Sequence, residues 1–283
     1  MNNLEVLNYG NKLLKNSNIS SYKLDSELLL AKVLNFTREK LLINLDKIID
    51  KKSFKAYKNL IARRKKKEPI AHIFENKEFW KYNFLVNRNV LIPRPETELI
   101  VEEVLKLTNY KSSKHILDIG TGSGCIIISL LKNRPFCHGT AIDICRKAIK
   151  VASYNAKMHH LENKIKFINN DIDKLNLNKY DLIVSNPPYI KKIELKRLSD
   201  NVRLYEPKIA LEAGIDGFEE IKKIILRSKK LLKKNGKLIF EIGHKQKAYA
   251  LNLLKKNGFY LNKICLDNSL IPRVLISSKI TNE

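Results

Sequence analysis

Asn186, Pro187, Pro188 and Tyr189 follow one another directly after the apolar run Asp181–Ser185. The asparagine side chain carries a carbonyl acceptor, and Pro187 has a carbonyl but no N–H of its own. Two consecutive prolines fix φ and so hold the direction of that carbonyl. Two fixed acceptors beside an aromatic face suit a planar –NH2 group whose lone pair is delocalised into an amide or a ring. Such a nitrogen is a poor nucleophile. Holding both its hydrogens, with a methyl donor above its plane, aligns it for in-line attack. Positioning of this kind can remove roughly 7–11 kcal/mol of barrier. Acceptors that bind more strongly as positive charge develops on nitrogen stabilise the transition state further. Asn186, Pro187 and Tyr189 are therefore the candidate catalytic residues, with Pro188 completing the substrate-binding set. A plain turn after a strand competes with this reading, and a second motif decides between them.

That second motif is Gly120-Thr121-Gly122-Ser123-Gly124, placed between an apolar strand and a helix. Its glycines permit a tight turn and close approach of a ligand. The spacing is G-x-G-x-G, unlike the dinucleotide pattern, and no Lys-Ser/Thr ending for a nucleotide phosphate follows. Asp143 ends the next strand, where a carboxylate can accept both hydroxyls of a ribose. Asp118, Asp143 and Asp171 near successive strand ends would repel a pyrophosphate and suit an adenosine bearing a cationic sulfonium. S-adenosyl-L-methionine fits that description better than NAD or ATP, with S-adenosyl-L-homocysteine as the product. No cysteine pair or histidine spacing suggests a metal site.

Positioning these residues requires a sheet. Strand-like segments recur at His115–Ile119, His138–Asp143, 164–168, Asp181–Ser185, 237–241, 260–265 and 274–277. Helical segments are expected between the first five, at 125–132, 146–158 and 218–234. This alternation predicts an open, mostly parallel sheet covered by helices on both faces, with ligands outside the carboxyl ends of its strands. Every motif above falls at such an end. Residues 1–75 instead read as a small helical bundle, with apolar residues at three- and four-residue spacing in Leu4, Leu7 and Leu14, in Leu24, Leu28, Ala31 and Leu34, and in Phe54, Tyr57, Leu60 and Ile61. The basic run Arg63–Lys67 reads as a solvated helix end suited to the dipole. Between the two parts, residues 76–93 read as a β-hairpin linker with turn character at Asn87 and Asn89, and Thr97 or Glu96 opens the following helix.

The chain of 283 residues is 44% hydrophobic and carries a formal charge of +25. Such a charge invites a nucleic-acid reading, but Lys and Arg are dispersed along the chain, and no stable nucleic-acid partner is expected. The longest apolar runs are too short to span a membrane, and the N-terminus lacks a signal-peptide core. A cytoplasmic protein is expected.

The chain resembles the release factor glutamine methyltransferases over nearly its whole length. The resemblance rests on Glu68–His72, Glu78–Trp80, Leu91–Glu98 (Leu-Ile-Pro-Arg-Pro-Glu-Thr-Glu), Ile116–Gly124, Asn186–Ile190, Glu206–Leu211, Asp216-Gly217 and Glu241–Gly243, in that order. The glycine and Asn-Pro-Pro-Tyr motifs alone are shared with N6-adenine methyltransferases of nucleic acids, and much of the pattern with a sister family acting on a ribosomal protein. Those remain the alternative readings. The resemblance implies a Rossmann-like class I methyltransferase domain with a seven-stranded mostly parallel sheet (residues 94–283), preceded by the helical domain that docks the substrate protein and by the hairpin. It implies methyl transfer from S-adenosyl-L-methionine to the side-chain amide nitrogen of the glutamine in the Gly-Gly-Gln motif of class 1 peptide chain release factors, in support of translation termination. Gly120 to Gly124, Asp143, Asp171, Ile172 and Asn186 would hold the cofactor, and Asn186 to Tyr189 would frame the glutamine. Three departures stand out: Glu75 where the family commonly has glycine, Ile172 where an aromatic residue sometimes stands, and Leu270–Arg273 without the usual glycine-containing turn.

Overall fold

A computed structural model describes residues 1–174 and 179–280. In chain order its helices are α1 Asn3–Lys15, α2 Tyr22–Leu34, α3 Arg38–Ile43, α4 Lys51–Lys65, α5 Ile70–Phe74, α6 Glu98–Leu107, α7 Cys125–Asn133, α8 Arg146–Met158, α9 Asp200–Arg203, α10 Glu219–Leu231 and α11 Lys247–Lys256. Its strands are β1 Lys77–Phe79, β2 Tyr82–Phe84, β3 His115–Ile119, β4 His138–Asp143, β5 Ile165–Asn169, β6 Tyr180–Ser185, β7 Leu232–Glu241, β8 Phe259–Leu266 and β9 Pro272–Lys279. The chain divides into two units, Met1–Glu75 with Ser199–Tyr205, and Asn76–Leu198 with Glu206–Glu283.

The first unit is helical. A capping box opens α1: the Asn2 side chain accepts from the Glu5 N–H at 2.9 Å and Glu5 accepts from the Asn2 N–H at 3.0 Å, satisfying two donors that the first helical turn leaves free. Val6, Leu7, Leu14, Leu29, Leu30, Tyr57 and Ile61 form its core. Tyr57 is buried with its hydroxyl 2.6 Å from Ser26 Oγ. Leu4 and Leu24, expected on the apolar stripes, are exposed. In α2 the buried face instead carries Asp25 and Ser26, because the neighbouring groups satisfy them. The basic run is exposed at Arg63, Lys65 and Lys66, as expected of a solvated helix end, and it also makes bonds within the unit. Arg64 donates to Asp25 at 2.7 Å, Arg63 reaches both carboxylate oxygens of Glu68, and the Lys67 ammonium reaches the Ser17 and Asn18 carbonyls. The run serves as an internal tie of this unit. The later segment Ser199–Tyr205 belongs to the same unit, where the Tyr205 hydroxyl donates to the Lys66 carbonyl at 2.7 Å.

The second unit is built on a seven-stranded sheet in the order β5-β4-β3-β6-β7-β9-β8. β9 runs antiparallel to both β7 and β8, and the other pairings are parallel. The expected mostly parallel sheet is therefore present. One apolar cluster lies on the face covered by α6 and α7 and the other beneath α10 and α11, so both faces of the central strands are covered and most of their residues are apolar. Sequence order reverses at β3: β4 lies on one side of it and β6 on the other. The register pairs Ile119 with Ser185, so the loops after β3 and β6 leave the sheet side by side.

Local details differ from the sequence expectation. The hairpin lies wholly within 77–84, pairing Lys77 with Phe84 and Phe79 with Tyr82. Trp80 turns it with φ at 60°, and Asn87–Val90 forms a separate turn without a strand beyond it. Helix α10 stops at Leu231, since Leu232–Lys234 join β7. A helix, α11, stands between β7 and β8, outside the segments expected to be helical. After β5 the described chain has a 3-10 turn, Ile172–Lys174.

Two of the family departures have one physical basis. Glu75 and Leu270 adopt φ of 51° and 60°, a left-handed conformation that glycine enters without steric cost and other residues at about 1–2 kcal/mol. Both residues hold that backbone conformation without being glycine.

Candidate active site

Four strand ends, of β3, β4, β5 and β6, converge on a cavity of about 230 Å³. Gly120, Thr121, Gly122, Ser123, Asp143, Asp171, Ile172, Asn186 and Pro188 line it, with Arg94, Thr97 and Lys223 among the further lining residues. Of the residues singled out from sequence, Asp118, Gly124, Pro187 and Tyr189 do not line it.

The glycine loop explains why Gly124 stands apart from its neighbours. Gly120 and Gly122 have φ of 71° and 55°, and nothing lies closer than 4.0 Å to where a Cβ would stand. The free space at both faces the cavity wall that these residues form. Gly124, with φ of 81°, caps α7, and a Cβ there would stand 2.9 Å from Ile128 Cδ1 and 3.3 Å from Ala152 Cβ. Its lack of a side chain serves the packing of α7 on α8. The buried Asn155 of α8 steadies the loop from behind, donating to the Ser123 carbonyl at 2.8 Å and bracing Leu85 through both its amide groups.

Asp143 faces the cavity. One carboxylate oxygen accepts from the Gly122 N–H at 3.0 Å and the other from the Cys145 N–H at 2.8 Å. Burial raises its pKa, and those two backbone bonds oppose the rise. Each oxygen retains acceptor capacity for a further donor. Asp171 caps its own turn through the Asp173 N–H at 3.0 Å, next to the buried Ile172.

Asp118 departs from expectation. Rather than lining the crevice with Asp143 and Asp171, it is fully buried beneath the loop, where it accepts from Thr121 Oγ1 at 2.7 Å. Its other oxygen has no partner. Burial pushes its pKa up to about 7, so its role is to hold Thr121 and the loop from below. The sign of the linkage follows. A carboxyl raised from 3.8 to about 7 on folding binds its proton more tightly in the native state, so its stabilising contribution is complete below pH 4 and disappears as pH rises through 7. Replacing Asp118 with Asn removes that dependence. Stability of Asp118→Asn relative to the parent should therefore shift in the variant's favour by roughly 4 kcal/mol between pH 4 and pH 8. Denaturant unfolding at the two pH values measures this.

Asn186 leaves β6 at its carboxyl end. Its Nδ2 donates to Thr97 Oγ1 at 2.8 Å, while its Oδ1 is buried and has no hydrogen-bond partner. A buried amide oxygen without a partner costs about 1–3 kcal/mol, which a ligand N–H would recover. Pro187 is buried, and Pro188 reaches the cavity wall. The Tyr189 ring lies against Gly243, whose missing Cβ would stand 2.9 Å from its Cδ2. Burial pushes the Tyr189 hydroxyl up to about 12, so it stays protonated.

Sequence reasoning gave Thr97 the part of a helix opener. In the structure it makes no cap bond. Its hydroxyl donates instead to Glu241 Oε2 at 2.6 Å, at the end of β7. A carboxylate closing the apolar run Leu238–Phe240 was the available signal for Glu241. Arg94 and Glu206, both noted from sequence, pair at 2.6 Å, and Glu206 also accepts from the Ile92 N–H at 3.1 Å. Together they pin the segment before α6 to the loop that returns after the Asn-Pro-Pro-Tyr motif.

Comparison with known proteins places these features in context. Residues 5–74 match the family model described as the PrmC N-terminal domain, and residues 95–201 match the methyltransferase small domain. A release factor glutamine methyltransferase of Clostridium acetobutylicum is 38% identical over 94% of this chain and 94% of its own length. A bifunctional methyltransferase of Rickettsia felis is 36% identical over 98% of this chain, which spans 58% of that relative's length. Among solved structures, the hMettl16 catalytic domain superposes with a TM-score of 0.57 at 20% identity, covering 70% of this chain and 75% of its own. The architecture is thus a class I methyltransferase fold behind an N-terminal helical unit. Among the described residues, no helix is long and apolar enough to cross a membrane.

Proposed function

Because this chain belongs to the release factor glutamine methyltransferases, we propose that it methylates the side-chain amide nitrogen of the glutamine in the Gly-Gly-Gln motif of class 1 peptide chain release factors. The observation that carries the reading is the unpartnered, buried Oδ1 of Asn186 at the cavity, an acceptor kept free for a donor such as an amide –NH2. The N-terminal unit would dock the release factor, and the enzyme would work in the cytoplasm.

The cavity suits S-adenosyl-L-methionine on its own geometry. Open space beside Gly120 and Gly122 admits a ligand against bare backbone, and Asp143 has lone pairs left for ribose hydroxyls. Gly120 to Ser123, Asp143, Asp171 and Ile172 would hold the cofactor, with Gly124 keeping the loop in register. The bound cofactor supplies an electrophilic methyl group on a sulfonium. The protein does the rest by orientation. Asn186 Oδ1 would take one amide hydrogen and the carbonyl of Pro187, a residue outside the cavity lining, the other; Pro188 would bound the flat group, with Tyr189, also outside the lining, backing the motif against Gly243. Held this way, the nitrogen presents the face of its plane to the methyl group, the acceptors strengthen as positive charge develops on it, and one of the two held hydrogens leaves as a proton once the new C–N bond has formed.

The test offers methyl-labelled S-adenosyl-L-methionine in parallel with a class 1 release factor, a glutamine-containing ribosomal protein and double-stranded DNA. Label should enter the release factor at its Gly-Gly-Gln glutamine, located by mass spectrometry. Label in the ribosomal protein or DNA with none in the release factor refutes the proposal.

A further inference from the structure

We propose that Thr97 and Glu241 are positioning residues that fix which end of the Asn186 amide faces the substrate. The inference rests on the reading that Asn186 Oδ1 accepts from the substrate nitrogen.

An asparagine amide has nearly the same shape at both ends, yet one end donates and the other accepts. Turned over, Asn186 would aim its –NH2 at the –NH2 of the substrate, and two sets of donors would face each other. Something must select the orientation. Here the selection comes from a relay of three groups. An ionised Glu241 is acceptor-only, so the single Thr97 proton is committed to Oε2 at 2.6 Å. Thr97 Oγ1 then has only lone pairs to offer Asn186, and the partner at 2.8 Å must be Nδ2. Oδ1 is left pointing away, buried and free.

The relay is insulated. Thr97 and Glu241 are 2% and 1% exposed, so water has little access to substitute for either partner. Its members come from three separate places in the chain: the turn before α6, the end of β6 and the end of β7. The rest of the Thr97 surroundings do not explain it as a helix cap, since it makes no cap bond. Nor is the carboxylate placed for stability, since burial raises its pKa to about 7. Arg273, Arg94, Glu96 and Tyr189 are the other charged or titratable groups felt at Glu241, and the Arg273 guanidinium is engaged by Asp267 at 2.8 Å.

Ionisation matters to the selection. A protonated Glu241 can donate to Thr97, which frees the Thr97 proton to point at Asn186 and removes the preference for Nδ2. Activity should therefore weaken as Glu241 takes up a proton.

Three variants test this: Thr97→Val, Thr97→Ser and Glu241→Gln. Each is assayed for methyl transfer to release factor across pH 5.5–8.5, for cofactor Kd by calorimetry and for folding by thermal melting. Thr97→Val should lower kcat about 10²–10³-fold, the loss typical of one preorganised polar group, with cofactor Kd within about threefold, as befits a group acting on the transition state alone. Thr97→Ser, which keeps the hydroxyl, should restore kcat to within about fivefold of the parent. Glutamine at 241 does not titrate and, like protonated Glu241, can turn a donor toward Thr97, so Glu241→Gln should lose the parent's fall in kcat below about pH 7 and show a flat profile near the parent's acid-limb level. A Thr97→Val kcat within threefold of the parent overturns the inference. So does a Thr97→Ser kcat as low as that of Thr97→Val, or a Glu241→Gln profile that keeps the parent's acid limb. Should Thr97→Val fail to fold, the serine rescue and the pH profile still decide the matter. A parent protein that labels no release factor defeats the underlying reading together with this one, whereas an active parent with an indifferent relay defeats this one alone.

Discussion

Replacing Asn186 with Ala is expected to reduce methyl transfer by about 10³-fold or more in kcat, with cofactor affinity changed by less than about fivefold. The argument is geometric. Asn186 Oδ1 is the buried acceptor without a partner, and truncation removes it from the nitrogen that must be oriented. Losing one preorganised group at a reacting centre costs about 10²–10³ in rate. A substrate amide held at one hydrogen alone also rotates about it, and misplacement adds to the loss. The Thr97 hydroxyl, formerly an acceptor for Nδ2 at 2.8 Å, is left without that donor as well. Single-turnover methylation at saturating cofactor, alongside a calorimetric Kd, separates the two quantities. Parent-like kcat in Asn186→Ala would remove the residue from the mechanism.

Asp143→Ala should act on the other substrate. The expected result is a cofactor Kd raised about 10²–10³-fold, with kcat at saturation much less affected. Asp143 holds the loop through two backbone N–H groups, at Gly122 and Cys145, and it is the carboxylate placed to accept ribose hydroxyls. Charge-assisted bonds of this kind are worth about 1.5–3 kcal/mol each, and about 3–4 kcal/mol in all gives the stated change. Asn is no conservative replacement here. Both Asp143 oxygens already accept from backbone donors, so an amide must turn its –NH2 toward one of those N–H groups. Asp143→Asn should therefore weaken binding by at least about 30-fold. A cofactor Kd within threefold of the parent for either variant would show that Asp143 does not hold the cofactor.

Much of the architecture was legible because it rests on short-range rules. Continuous apolar segments of strand length, alternating with amphipathic helices, announce a parallel sheet covered on both faces. His115–Ile119, His138–Asp143 and Arg146–Met158 therefore coincide with β3, β4 and α8. Boundaries failed where tertiary contact overrode local pattern. Leu232–Lys234 continue the apolar and basic pattern of α10, yet pairing with β6 at Tyr180 draws them into β7. The hairpin turned at Trp80, which no propensity favours, and the Trp80 N–H is held by Glu98 at 2.7 Å from eighteen residues away.

The candidate site divides along the same line. Sequence by itself determined the residue types that chemistry needs: an amide and two prolines after one strand, bare glycines after another, a carboxylate ending a third. Those are properties of side chains and of spacing, and they are carried by a linear string. Tertiary structure alone decided what each of them is free to do. It sent Asp118 beneath the loop and left Asp143 at the cavity, although both stand near a strand end in sequence. It gave Gly124 to helix packing and Gly120 and Gly122 to open space. It also joined Thr97 to Asn186 and Glu241, 89 and 144 residues apart. The physical reason is that burial and hydrogen-bond direction depend on what surrounds a group in space. A string of residues states which donors and acceptors exist, and only their packing states which are left unpaired.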